Sequence, residues 1–206
     1  MERCSLALLA PLLLASAPSA LAASSTDLSV TGLITPKSCT PILSSGGIVH
    51  HGKVTVKDLN PDQPTQLETG TLYLYVNCEG ATMFTLTTID NREGSSAIDP
   101  HHHGLGVIND DQHLGSVAFG LFDAIADSNP VKTIMSSNDG ASWRVSPYLG
   151  HAGLTAFAMP TDLGTPIAIK DLHTRLSAVT TIVRANDLTL TDEVPIDGHV
   201  TVQLNY

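Results

Sequence analysis

Short runs in which every second residue is apolar recur along this chain to its last residue, and that period of two constrains the fold more than any other feature. Leu28, Val30, Gly32 and Ile34 alternate with Ser29, Thr31 and Leu33. Val54 and Val56 alternate with Lys53, Thr55 and Lys57. Leu72, Leu74 and Val76 lie opposite Tyr73 and Tyr75, and Phe84, Leu86 and Thr88 lie opposite Thr85 and Thr87. Val117, Phe119 and Leu121 form a further set. The final run places Val200, Val202, Leu204 and Tyr206 on one face and His199, Thr201, Gln203 and Asn205 on the other. Successive side chains on a strand point to opposite faces, so each run reads as a strand with one buried face. Ser45-Gly46-Gly47, Asn60-Pro61-Asp62, Asn138-Asp139-Gly140 and Asp197-Gly198 supply the turn chemistry between them. One stretch is ambiguous. Leu172, Leu176, Val179 and Val183 fit helical spacing, whereas Thr180, Thr181 and Ile182 are β-branched, so a strand is expected over 176–184. Residues 90–113 are polar and rich in Gly, Asp and His. The pattern predicts an all-β, antiparallel sandwich, immunoglobulin-like in the broad sense, with a loop-rich insertion around 90–150.

The first residues set the expected compartment. A weakly charged Met1-Glu2-Arg3 precedes an apolar run from Leu6 to Ala15, and Ser19-Ala20-Leu21-Ala22 has small residues where a signal peptidase reads. Residues 1–22 are therefore expected to be a signal peptide, and 23–206 a single exported domain. The apolar run is too short for a membrane span, and no later stretch approaches the roughly 20 apolar residues a spanning helix needs.

Charge and cysteine usage fit an exported protein. The net charge is −10, which argues against nucleic acid and anionic membranes as partners. Aromatic residues make up only 4%, so the core has to be aliphatic. Of three cysteines, Cys4 lies in the leader, leaving Cys39 and Cys78. An even pair in an oxidising compartment reads as a disulfide, and closing a loop of about 40 residues stabilises by roughly 3–4 kcal/mol in the chain-entropy model.

His101, His102 and His103, with Asp99, Asp110, Asp111 and His113 nearby, are residue types that suit zinc, copper or nickel. Adjacent histidines diverge, however, and no H-x-x-x-H spacing is present, so a solvated polar loop with no metal ligand set is expected, one that tolerates alanine at all three histidines. Trp143 has the chemistry to stack on a sugar, but a lone Trp more often packs in a core. No GxSxG, HExxH or phosphate-cradling glycine loop occurs, so the chain is not read as an enzyme and no cofactor is expected.

Three segments together resemble a known family. The block from Leu28 to Cys39, with Gly32 seven residues before the cysteine, resembles the start of chaperone–usher pilus subunits. Tyr75-Val76-Asn77-Cys78 is similar to the strand that carries their second cysteine, and Val200 to Tyr206 resembles their C-terminal strand, with its Tyr near the end. Gly46-Gly47-Ile48-Val49, Gly52-Lys53-Val54, Asp58-Leu59-Asn60 and His103-Gly104-Leu105-Gly106 are similar to fimbrial-like secreted proteins of Gram-negative bacteria whose role is unassigned. The resemblance implies a pilin-type sandwich and a structural or adhesive subunit of a surface fimbria, assembled by donor-strand exchange. Leu28, Val30, Gly32 and Ile34 would be the donor strand, and Val200, Val202, Leu204 and Tyr206 a wall of the acceptor groove. The partners implied are a periplasmic chaperone, which would meet the Tyr206 carboxylate with a basic residue, an outer-membrane usher and other fimbrial subunits. The location implied is the periplasm, then the fimbrium at the cell surface. On the residues alone a second reading stays open, a self-contained secreted β-sandwich that binds a sugar or a metal, because period two does not distinguish a donated strand from a retained one.

Overall fold

Where the structure describes them, most of the period-two runs become strands. A computed structural model describes residues 38–206 and Ser29; the leader 1–22 and the alternating positions Leu28, Val30, Gly32 and Ile34 lie outside the described residues. Contacts divide the chain into Met1–Ile34 and Thr35–Tyr206, and all the strands below belong to the second unit.

Nine main strands follow in order: β1 (Cys39–Leu43), β2 (Gly70–Thr82), β3 (Thr85–Asp90), β4 (Gly115–Ala126), β5 (Lys132–Ser136), β6 (Tyr148–Leu149), β7 (Leu154–Ala158), β8 (Ile169–Ile182) and β9 (Val200–Asn205). They form two antiparallel sheets. The first runs β1-β2-β8-β4-β6, and the second runs from the short strand Arg144–Val145 through β5, β7 and β3 to β9. The chain is therefore an all-β antiparallel sandwich.

The core lies between the sheets. Leu72, Leu74 and Val76 of β2 face it while Tyr73 and Tyr75 face outward, as the alternation requires. Leu86, Leu121, Leu149, Phe157, Leu172 and Leu176 complete the fully buried layer. Burying each such side chain contributes roughly 1.5–3 kcal/mol, and with so few aromatics the layer is almost wholly aliphatic.

Two expectations change and a third, over 176–184, holds as part of a longer strand. The run Lys53–Lys57 is not a strand: Val56–Asp58 is one 3₁₀ turn, closed by reciprocal bonds between Thr55 and Asp58. The strand expected over 176–184 is the end of β8, the long central strand Ile169–Ile182. The insertion around 90–150 is narrower than expected, because β4, β5 and β6 all fall within it and only 91–114 and 137–143 are loop-rich.

Candidate functional site

The two long sides of the sandwich end differently. On one side the chain runs from Arg144–Val145, the edge of the second sheet, straight to β6, the edge of the first. Ser146 N–H donates to Thr133 O, and Leu121 N–H to Pro147 O at 2.6 Å, so this crossing is stitched to both sheets. On the other side lie β1 and β9. Among the described residues β1 pairs only with β2, and β9 only with β3.

Hydrogen-bond parity shows what these two edges present. Asn91 N–H donates to His199 O, so the hydrogen-bonded pairs that follow are Thr201–Ile89, Gln203–Thr87 and Asn205–Thr85. The main-chain groups of Val200, Val202 and Leu204 consequently point away from β3. By the same argument from Glu79 N–H to Ser38 O, Cys39, Pro41 and Leu43 turn theirs away from β2. Proline is tolerated there because an edge strand loses no ladder bond to it. At one end of the gap Cys39 N–H donates to the Tyr206 hydroxyl at 2.7 Å.

Between these edges lies a groove of about 570 Å³. Leu72, Leu176, Val117, Phe119 and Leu149 form its floor, and Val200 and Val202 one wall. The opposite wall is Leu43 and the segment 46–51, which leaves β1 through Ser45, Gly46 and Gly47, all in the left-handed region. That wall is pinned at two points. Val49 packs where a Cβ on Gly70 would meet it at 2.4 Å, and His51 Nε2 lies 2.9 Å from Thr180 Oγ1. Apolar side chains stay open to solvent along it, with Ile48 54% exposed. The groove thus continues the interior of the sandwich out to its surface. A second cavity of about 880 Å³ shares Val49, His50, His51 and Ile196 with it and extends between residues 49–56 and 190–196.

The expected site residues divide. Cys39 and Cys78 form a disulfide, and it ties β1 to β2 beside the groove. Val200, Val202 and Leu204 are half-buried toward the interior, but the Tyr206 side chain does not turn into the core. It is 58% exposed and reaches across to β1 with its hydroxyl. Trp143 lies partly buried on the outer face of the second sheet, over Ile134, Ala156 and Ala158.

The histidine loop is not uniformly solvated. His101 is exposed, beside the Asp99 carboxylate, and its hydrogen bonds hold that group below the usual carboxylate range. His103 is 1% exposed, and its Nε2 lies 2.6 Å from Thr88 Oγ1. Its ring packs on Phe119 of the groove floor and edge-on to His151. Burial, then the neighbouring His151, pushes its pKa down, with Asp90 pulling the other way. Alanine at His103 would therefore leave a hole under the groove, contrary to the tolerance expected of a solvated loop. Among the described residues no three His, Cys, Asp or Glu side chains converge as a metal site, and no helix is long and apolar enough to cross a membrane.

Sequence reasoning missed the wall formed by Ile48, Val49 and His51. Its glycines and lack of alternation read as a turn, and nothing in the run marks a loop that lines an apolar groove.

Comparisons with known proteins name no function. Residues 28–118 match the model of a family described as a protein of unknown function, DUF1120. The match starts at Leu28, the first alternating position, and runs through both cysteines into β4. The chain is similar to the uncharacterised protein YhcF of Escherichia coli K12, 26% identical over 226 aligned positions that cover 92% of this chain and 94% of YhcF. It is also similar to the protein GltF of the same strain, 28% identical over 233 positions covering 91% of each.

Proposed function

We propose that this chain is a subunit of a surface fimbria that is completed by a strand from another protein. A periplasmic chaperone fills the groove between β1 and β9 first, and the 28–34 segment of a neighbouring subunit then replaces it. The observation that carries this reading is the open side of the sandwich, an apolar groove backed by core residues and bordered by the outward main-chain groups of Val200, Val202 and Leu204. An added strand satisfies such an edge with main-chain hydrogen bonds, while alternate side chains seat in the floor. Leu28, Val30, Gly32 and Ile34 have the required period, and the side-chain-free Gly32 would pass the tightest point.

The test is the oligomer size of the exported protein. Wild type is expected to form ladders of oligomers. Replacing Gly32 with Trp is expected to leave a folded body that does not assemble, and deleting residues 24–34 to trap a monomer or a chaperone complex. If the deletion instead unfolds a protein that is monomeric as wild type, the segment is a strand of its own sandwich and the self-contained module becomes the better account.

A further inference from the structure

The second cavity extends the groove beyond Val200, and its rims are unusual. Residues 48–55 and 190–199 belong to no strand, although the backbone is extended at Ile48 (φ −102°, ψ 129°) and Thr55 (φ −92°, ψ 156°). The first rim and the turn that follows it carry the Val54 and Val56 alternation that reads as a strand in sequence. Across the mouth Lys53 Nζ donates to Glu193 Oε1 at 2.8 Å, with both side chains in solvent. Lys53 and Glu193 line the same cavity from opposite rims.

We infer that Lys53 and Glu193 form a latch over the far half of the groove, and that the entering strand of a second copy opens it and pairs with the rim backbone. The inference rests on the strand-accepting reading. The occupant is the second copy's segment before Ser38, which supplies the alternating positions 28–34. An exposed ion pair of this kind is weak, so it closes the empty groove without sealing it against a strand that brings a row of main-chain hydrogen bonds. The rims supply the partners that the short β9 lacks. Occupancy therefore converts to strand part of 48–51 or 190–196, which belong to no strand here.

The experiment uses the monomer fraction of the exported chain and a labelled synthetic peptide spanning residues 24–37. Hydrogen exchange maps protection, and stopped-flow association gives the entry rate at low and high salt. The expected result is protection of the rims together with 200–205. Glu193→Gln should speed entry about two- to fivefold at low salt and remove the salt dependence. The double reversal Lys53→Glu with Glu193→Lys should restore the wild-type rate and its salt response. Protection confined to 200–205, with Glu193→Gln entering at the wild-type rate, overturns the latch and leaves the strand-accepting reading standing. No protection anywhere overturns both.

Discussion

The closed and open sides of this sandwich solve the same problem by different means. Where the sheets meet at residues 144–149, one continuous stretch of chain supplies an edge strand to each, and its main-chain groups are tied to Thr133 and Leu121. Where β1 and β9 approach each other, no strand among the described residues pairs with both, and the Tyr206 hydroxyl accepts a hydrogen bond from Cys39 N–H across the gap. A covalent crossing ties the two edge strands to one another. An uncrossed gap leaves core side chains at the bottom of a groove and a row of outward amides beside it. The groove side is a localised feature, since the aliphatic layer around Leu74, Leu86 and Leu121 is fully buried.

The largest expected effect comes from removing the open side's wall. A chain ending at Gly198 loses all of β9, exposes β3 as an edge and uncovers the floor beneath Val202 and Leu204. It should fail to accumulate in the periplasm, as read by immunoblot. Normal accumulation would mean that β9 is dispensable. Next comes a direct contrast of the two regions. Leu74→Ala in the closed core should cost about 2–5 kcal/mol in urea unfolding, whereas Val202→Ala at the groove should cost about 1 kcal/mol or less while the groove is empty. Equal losses would break the distinction between the sides. Loss of the Cys39–Cys78 bridge should cost roughly 3 kcal/mol, checked by unfolding the Cys39→Ser, Cys78→Ser double variant.

A smaller effect is expected from pH. The His103 pKa is depressed in the folded protein, by burial first and by His151 second. The unfolded chain then binds the proton more readily. The neutral ring's contribution to stability is complete above the ordinary histidine value of about 6.5 and is lost as pH falls below it. Thermal melts from pH 8 to pH 4.5 should show this loss, and His103→Gln should flatten it.

Legibility in the sequence followed burial on one face. The alternation of Leu72, Leu74 and Val76 and that of the β9 residues gave the right strands because one face of each is buried and the other wet. β8 was ambiguous because its middle is covered on both faces: Leu176, Ser177 and Ala178 are all buried, so the alternation disappears and a helical spacing emerges by chance. β5 and β7 were missed for the same reason, since Trp143 covers Ile134, Ala156 and Ala158 from outside. The opposite error occurred at Val54 and Val56, where the alternation is real but no strand among the described residues pairs with it. The cysteine pair and one groove wall were readable; the other wall was not, because a loop that lines a groove has no period. Only the tertiary position of His103 shows that part of a polar, histidine-rich loop belongs to the core.

The most direct test of the account is to ask what occupies the groove in assembled material. A photo-crosslinking side chain at Val202, in exported protein mixed from two isotopically distinct populations, reports its neighbour by mass spectrometry. The account predicts a crosslink to residues 28–34 of a different copy, seen as mixed-isotope products in the oligomer fraction. Crosslinks confined to the same copy, or none in an assembly that otherwise forms normally, would contradict it.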